Sequence, residues 1–468
     1  MYTEIIEALK PEMISSLDTL ISIPSKNAPS IEGCPFGKDV NDALEFVTKL
    51  ASDMGFEARN LGYCAEVKFG SGSERIDIAV HVDVVPEGDG WETDPFKLTE
   101  INGNLYGRGT LDDKGPAISV LYALKAMKDS GHIPNKEIRL IFGGAEETGM
   151  SDLKQYISEN GLPDFAVSPD SSFPVTNAEL GVCFGKILLG KAEKGEKVSL
   201  VSINGGIAFN CVPDKCTAVF KCADEAVFDS FINAVEGKRD SLMNLKITSD
   251  RENLAVETYN EGISVHGSVP ETGRNAVKDI LYCVKEIFDS IGEKNSFVDT
   301  VTKLLEGTQG KGLGIYCKDE MSGEISVNMG MCRYDEKNEE NYVTLDIRVP
   351  VSIDVYGIKQ TLEEVCAANG AKFDLHQIDI GTYMPADNKY LKSLAESYEK
   401  VTGKKAEMLC ARGVTYAKSF EGRGVAFGPI EEGTDQGGGL HSTGEFINKD
   451  AFFKMAEIYA EVLTGLTK

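Results

Sequence analysis

The stretch Ile76-Asp77-Ile78-Ala79-Val80-His81-Val82-Asp83-Val84-Val85-Pro86-Glu87-Gly88-Asp89-Gly90-Trp91 decides how this chain is read. Its first five residues form a short, mainly apolar run of the length of a buried strand. His81 closes that run, and Asp83 follows two residues on. Side chains alternate with a period of two along extended backbone, so this imidazole and this carboxylate project from one face. Such a pair can be a plain ion pair, or the carboxylate can fix the ring of a metal-bound histidine. The chain has only five histidines in 468 residues, and the triplet alone does not choose between the two readings.

Outward from this stretch the pattern alternates strand and helix. Gly115 to Lys128 reads as a helix, Glu137 to Phe142 as a strand, Ser151 to Glu159 as a helix and Phe165 to Val167 as a short strand. That order predicts a largely parallel sheet covered by helices. From about residue 190 the texture changes. Lys197 to Ile203, Cys216 to Lys221 and Tyr342 to Pro350 alternate as strands, and Val343, Leu345, Ile347 and Val349 share one face. Helices are expected at Arg274 to Ile291 and Val355 to Ala368, and a further strand at Lys372 to Ile380. The fold class is therefore α/β, an αβα sandwich with an inserted α+β domain long enough for two lobes. The sandwich is expected at 1–187 and 384–468, where helices at Asn388 to Thr402 and Asp450 to Leu463 complete it. The insert is expected at 188–383.

The acidic and imidazole groups fall at particular places in this scheme. Asp112-Asp113 precede a helix in Tyr106-Gly-Arg-Gly-Thr-Leu-Asp-Asp-Lys-Gly-Pro116. Glu146-Glu147 follow a strand in Gly143-Gly-Ala-Glu-Glu-Thr-Gly149, Asp170 follows another, and His441 lies in the glycine-rich Gly437-Gly-Gly-Leu-His-Ser-Thr-Gly-Glu445. His81, Glu146-Glu147 and Asp170 thus follow the carboxyl ends of strands expected to be parallel neighbours, the edge where open α/β sheets bind ligands. Nitrogen and oxygen donors without thiolates suit zinc or manganese. Each residue also has a bland reading: Asp112 as a helix cap, Glu146-Glu147 as a solvated turn, Asp170 as a turn former, His441 as a loop histidine. Their joint occurrence at strand ends favours the metal site.

Taken together, HVDVVPEGDGW, YGRGTLDDKGP, GGAEETG, SPD and LHSTGE resemble, in order and over nearly the whole chain, the signature blocks of the two-metal peptidases that include carnosinase, aminoacylase and carboxypeptidase G. Asn204-Gly-Gly-Ile-Ala-Phe-Asn-Cys-Val-Pro-Asp214 and the large insert are most similar to bacterial PepV-type dipeptidases. The resemblance implies that His81 and Asp170 hold one divalent ion, Glu147 and His441 the other, and that Asp112 bridges them, with a cis peptide bond after it. Zinc is the first choice of ion and manganese the second. Asp83 would orient His81. Glu146 would be the general base, taking the proton of the bridging water that attacks the peptide bond and passing it to the departing amine.

In the insert, His266 of Ser264-Val-His-Gly-Ser-Val-Pro270 would stabilise the oxyanion, Asn210 would contact the substrate backbone, and Arg348 would grip its carboxylate. The insert itself would close as a lid. Thr415 would border the substrate in Ala411-Arg-Gly-Val-Thr-Tyr-Ala-Lys418, where Arg412, Val414 and Lys418 depart from the family's pattern and leave side-chain preference open. The implied function is a dipeptidase acting on short peptides with a free N-terminus. The alternative is a deacylase of N-acyl or N-succinyl amino acids from the same family.

Composition sets the remaining expectations. A net charge of −26 argues against nucleic acid, which needs basic patches, and against anionic membranes. The N-terminus lacks the basic and apolar regions of a signal peptide, and the eleven cysteines are scattered without a Cys-x-x-Cys. A cytoplasmic monomer is expected, whose partner is its dipeptide substrate. No Gly-x-Ser-x-Gly elbow supports a serine hydrolase.

Overall fold

The structure is a computed structural model and describes residues 2–191, 194–431 and 433–468. The chain forms two compact units. One ends at Glu179 and resumes at Thr382, and the other, Leu180–Gly381, is inserted between its halves.

The sheet of the first unit runs Glu57–Asn60, Cys64–Phe69, Glu137–Gly143, Arg75–His81, Phe165–Ser168, Gly424–Ala426, Val175–Glu179, Thr382–Tyr383. Its central strands are parallel: Arg75–His81 lies between Glu137–Gly143 and Phe165–Ser168, with Val80 opposite Phe142, His81 opposite Gly143 and Ile78 opposite Val167. Ile76, Ile78 and Val80 turn to one side with Leu140, Phe142, Phe165 and Val167. There they pack on the helices Tyr2–Ile21, Lys38–Asp53, Lys114–Asp129, Lys389–Thr402 and Lys449–Leu466. Ala79, Ile141 and Ala166 turn to the other side, against Leu153 and Tyr156 of the helix Ser151–Asn160 and against Tyr416 and Phe420 of a short 3-10 turn. Parallel strands need cover on both faces, and the result is a sandwich with one thick helical layer and one thin one. His81 and Asp77 share the thin side with Ala79, as the period of two requires.

The second unit is built on one antiparallel sheet of eight strands. Met243–Asp250, Ala255–Glu261, Lys215–Cys222 and Val198–Gly205 form one half, backed by the helices Glu225–Glu236 and Ala276–Ile291. Ser326–Asp335, Asn341–Val349, Gly181–Leu189 and Ala371–Asp379 form the other, backed by Val355–Ala368. The halves join where Val198–Gly205 pairs with Ser326–Asp335, so the two lobes share a sheet. Gly181–Leu189 pairs on both edges within this sheet, which places the start of the insert at Leu180 rather than at 188. In Asn341–Val349 the apolar alternation is present, but Thr344, Asp346 and Arg348 on its other face are buried as well.

Candidate active site

Loops leaving the carboxyl ends of the parallel strands Glu137–Gly143 and Phe165–Ser168, and the loop after the antiparallel strand Asn104–Tyr106, bring their acidic groups to His81. Asp112 Oδ1 lies 2.9 Å and Asp170 Oδ2 3.8 Å from His81 Nε2. His441 Nε2 lies 3.1 Å from both Asp112 Oδ2 and Glu147 Oε1. Asp112 therefore offers one oxygen to each imidazole, the arrangement a bridging carboxylate needs. The peptide bond after it is cis. Ligand atoms of His81, Asp112 and Glu147 lie within 4.8 Å of one another, as do those of His81, Glu146 and Asp170. The helix that follows begins at Lys114 with Asp113 at its cap position, so Asp112 is not the cap. The Asp113 carboxylate makes no cap bond either and instead accepts the His81 amide at 3.1 Å.

The protonation of His81 follows from its neighbours. Its Nδ1 sits 3.0 Å from the Asp83 carbonyl oxygen, which can only accept, so Nδ1 carries a proton, and Nε2 is the nitrogen turned toward Asp112. Asp83 does more with its carboxylate, which stands 3.4 Å from the ring. It accepts the backbone amides of Glu146 and Glu147, each at 3.2 Å, and the Asn27 side chain at 3.0 Å. The residue expected to orient a histidine thus also holds the loop that carries both glutamates.

A second carboxylate holds the start of that loop. Asp152 accepts the amides of Gly144 at 2.6 Å and Ala145 at 2.9 Å, and the Tyr416 hydroxyl at 2.5 Å. A Cβ at Gly143 would meet that hydroxyl at 1.8 Å, so no larger residue fits there. The sequence carries no signal for Asp152 beyond an acid in the first turn of a helix, which macrodipole arguments already explain.

The charge balance is uneven. Six carboxylates, from Asp83, Asp112, Asp113, Glu146, Glu147 and Asp170, surround the imidazoles of His81 and His441. Burial pushes Asp170 and Glu146 well above the usual carboxylate range, reinforced by the Asp112 charge on the first and by Asp170 on the second. Glu147 is raised by burial and by Asp112. Asp112 goes the other way: burial opposes it, but the bonds to His441 and His81 hold it low. His441 is pushed up to about 10 by its bonds to Asp112 and Glu147. Glu146 Oε1 is buried with no hydrogen-bond partner among the described residues, whereas Glu147 Oε1 is engaged by His441. Excess buried negative charge with nitrogen and oxygen donors fits a pair of divalent cations. Of the two glutamates, Glu146 is the one with a fully buried oxygen that lacks a partner among the described residues.

The second unit, taken by itself, gathers its own candidates. The loop at Asn210 pairs with the loop at His266: the Gly267 amide donates to the Asn210 carbonyl at 2.7 Å, and Cys211 bridges His266. The Ser268 amide donates to His266 Nδ1 at 3.2 Å. An amide can only donate, so the neutral ring carries its proton on Nε2. Gly267 lies so close to Asp346 that a Cβ would stand 2.6 Å from its Oδ2. Asp346 in turn binds Arg348 in a two-pronged pair, Nε to Oδ1 at 2.7 Å and Nη2 to Oδ2 at 3.0 Å. Arg348 also stacks on Phe184 at 5.3 Å. The sequence pattern made Arg348 a polar-face residue, and the structure buries it beside a carboxylate of its own chain. Thr415 belongs to the first unit, where it is buried and its hydroxyl donates to Glu179 at 2.7 Å.

Comparison with known proteins gives the family of the chain. The profile described as peptidase family M20/M25/M40 matches residues 78–465. The putative dipeptidase YtjP of Bacillus subtilis (strain 168) is 34% identical over 448 residues, 93% of this chain and 92% of that protein. The Beta-Ala-Xaa dipeptidase of Lactobacillus delbrueckii subsp. lactis is 30% identical over 478 residues, 100% of this chain and 98% of that protein. Among solved structures, human carnosine dipeptidase 1 superposes with a TM-score of 0.60 at 17% identity, over 100% of this chain and 98% of that one, a likeness of fold.

Proposed function

This chain belongs to the M20/M25/M40 peptidase family, and we propose that it is a two-metal dipeptidase cleaving short peptides with a free N-terminus. His81 and Asp170 would hold one ion, Glu147 and His441 the other, with Asp112 shared. Bound there, two divalent ions supply the charge that acidifies a water and polarises the scissile carbonyl. Zinc is the preferred ion and manganese the second choice, since imidazole and carboxylate donors take both.

The chain's own groups account for the proton traffic. Glu146, its carboxylate raised by burial and by Asp170, receives the proton of the attacking water and delivers it to the departing amine nitrogen. His266 donates Nε2–H to the developing oxyanion. Asn210 holds the substrate backbone, and Arg348, kept in orientation by Asp346, meets the free carboxylate. Thr415 shapes the substrate border through its bond to Glu179. The observation that carries the reading is the unpartnered Glu146 oxygen inside the crowd of carboxylates at His81 and His441. Free thiols at all eleven cysteines support a reducing compartment, and we place the enzyme in the cytoplasm as a monomer.

Hydrolysis of a free dipeptide, its N-acetyl form and the matching tripeptide by metal-loaded protein tests this. Cleavage of the dipeptide alone is expected. Preference for the acetylated substrate would transfer the assignment to an N-acyl-amino-acid deacylase, and inactivity on all three with zinc and with manganese would remove the enzymatic reading.

A further inference from the structure

Arg108 and Glu445 have no part in the chemistry above, yet they are 1% and 0% exposed and pair at 2.6 Å. A buried ion pair is by itself weak evidence of stabilisation, because desolvation offsets most of the attraction. What the two side chains hold in common is more informative. The Glu445 carboxylate accepts the backbone amides of Gly109 at 3.0 Å, Leu111 at 2.9 Å and Asp112 at 3.1 Å. Arg108 donates through Nη2 to the carbonyls of Ser442 at 3.0 Å, Pro86 at 3.3 Å and Glu87 at 3.4 Å. One pair therefore touches the loop after Asp83, the loop that carries Asp112 and the loop that carries His441.

The surrounding backbone repeats the connection. Phe446–Asn448 pairs with Asn104–Tyr106, Gly437–Gly438 pairs with Phe446–Asn448, and the Gly107 amide donates to the Glu445 carbonyl at 3.1 Å. The chain just after His441 is thus joined to the chain just before Asp112, with Glu445 at the junction, and Gly437–Gly438 closes the His441 loop on the same strand.

We infer that Arg108 and Glu445 are a positioning pair that sets the placement of Asp112 relative to His441, and with it the spacing of the two cation positions; this rests on the proposal that those positions hold cations. The Asp112 carboxylate must present one oxygen toward His81 and the other toward His441. A small rotation of the backbone at 112 would lose one of the two. The amide of Asp112 is held by a residue four places beyond His441, so the same side chain registers both ligands. A carboxylate is required there. Three amides and a guanidinium all point donors at two oxygens, and the amide of glutamine would set its own N–H groups against them. Surroundings of this kind commonly change metal affinity or turnover about 10–100-fold when altered.

The test is calorimetric titration of metal-free wild type, Glu445→Gln and Arg108→Lys with Mn2+ and with Zn2+, together with thermal melting and dipeptide kinetics. Wild type is expected to bind two ions. Glu445→Gln should keep one site and weaken the other about 10–100-fold, with a matching fall in kcat, little change in KM and partial rescue by added metal. Arg108→Lys should lose less, since an ammonium still pairs with Glu445 but cannot span the three carbonyls. If both variants bind two ions as tightly as wild type, and only melt earlier, the pair is a structural element and the inference falls. Should Glu445→Gln not fold, Arg108→Lys decides on the same criteria. A folded wild type that binds no ion overturns the proposed function itself, and this inference with it.

Discussion

The strand-end loops of the first unit and the Asn210–His266–Arg348 patch of the second unit both crowd polar groups, but they balance charge in opposite ways. Around His81 and His441 the carboxylates outnumber the imidazoles, and burial pushes Glu146, Glu147 and Asp170 up. In the second unit Asp346 is paired with the Arg348 guanidinium, and His266 accepts a backbone amide. An excess of buried negative charge calls for cations. A matched pair calls for none, and is suited to orienting a group that meets a neutral or zwitterionic ligand. The contrast implies that one region is completed by metal and the other is complete as it stands.

Removing the ions should therefore affect the first region most. Exhaustive chelation is expected to abolish peptide hydrolysis, and readdition of zinc or manganese to restore it. Each ion at a hundred times its Kd should also stabilise the fold by about 2.7 kcal/mol, read as a rise in melting temperature. Activity that survives chelation would break the comparison at its first term.

Within the metal region, Glu146→Gln should lower kcat about 1000-fold, in the range of general acid–base catalysis, while both ions still bind. Loss of an ion instead would make Glu146 a ligand and exchange its role with Glu147. His266→Ala, in the other region, is expected to cost about 100-fold in kcat, the scale of one oxyanion donor, with ion affinity unchanged. A shift in ion affinity there would erase the distinction between the regions.

Asp346→Asn should leave Arg348 buried without its counter-charge and destabilise the protein by about 3–5 kcal/mol, measurable by urea denaturation. Thr415→Val sharpens the comparison at its small end. It removes the hydroxyl that serves the buried Glu179 carboxylate, a loss of about 1–3 kcal/mol with ion binding intact.

Much of the site was legible because it depends on local rules. The strand Arg75–His81, the helix Val355–Ala368 and the positions of Glu146, Glu147 and Asp170 after strands all follow from periodicity and chain order. Arg348 shows where that reading stops. Alternation separated its face from that of Val343 and Leu345, but whether the second face is also covered depends on what packs there, and Asp346, Phe184 and Gly267 lie on that side. Asp152 and Asn27 were illegible for a related reason: a carboxylate or an amide shows in sequence that it can bond, not which loop it will hold.

The sequence by itself determined the strand-and-helix order, the two-part architecture and the residues able to hold metal, because hydrophobic spacing and donor chemistry are written along the chain. Only the tertiary structure decided that Asp112 faces both imidazoles, that Asp83 and Asp152 hold the glutamate loop, and that Arg108 and Glu445 join three loops. Those arrangements are made by backbone amides and side chains brought together from distant segments, and the identity of a hydrogen-bond partner exists only once the chain has folded.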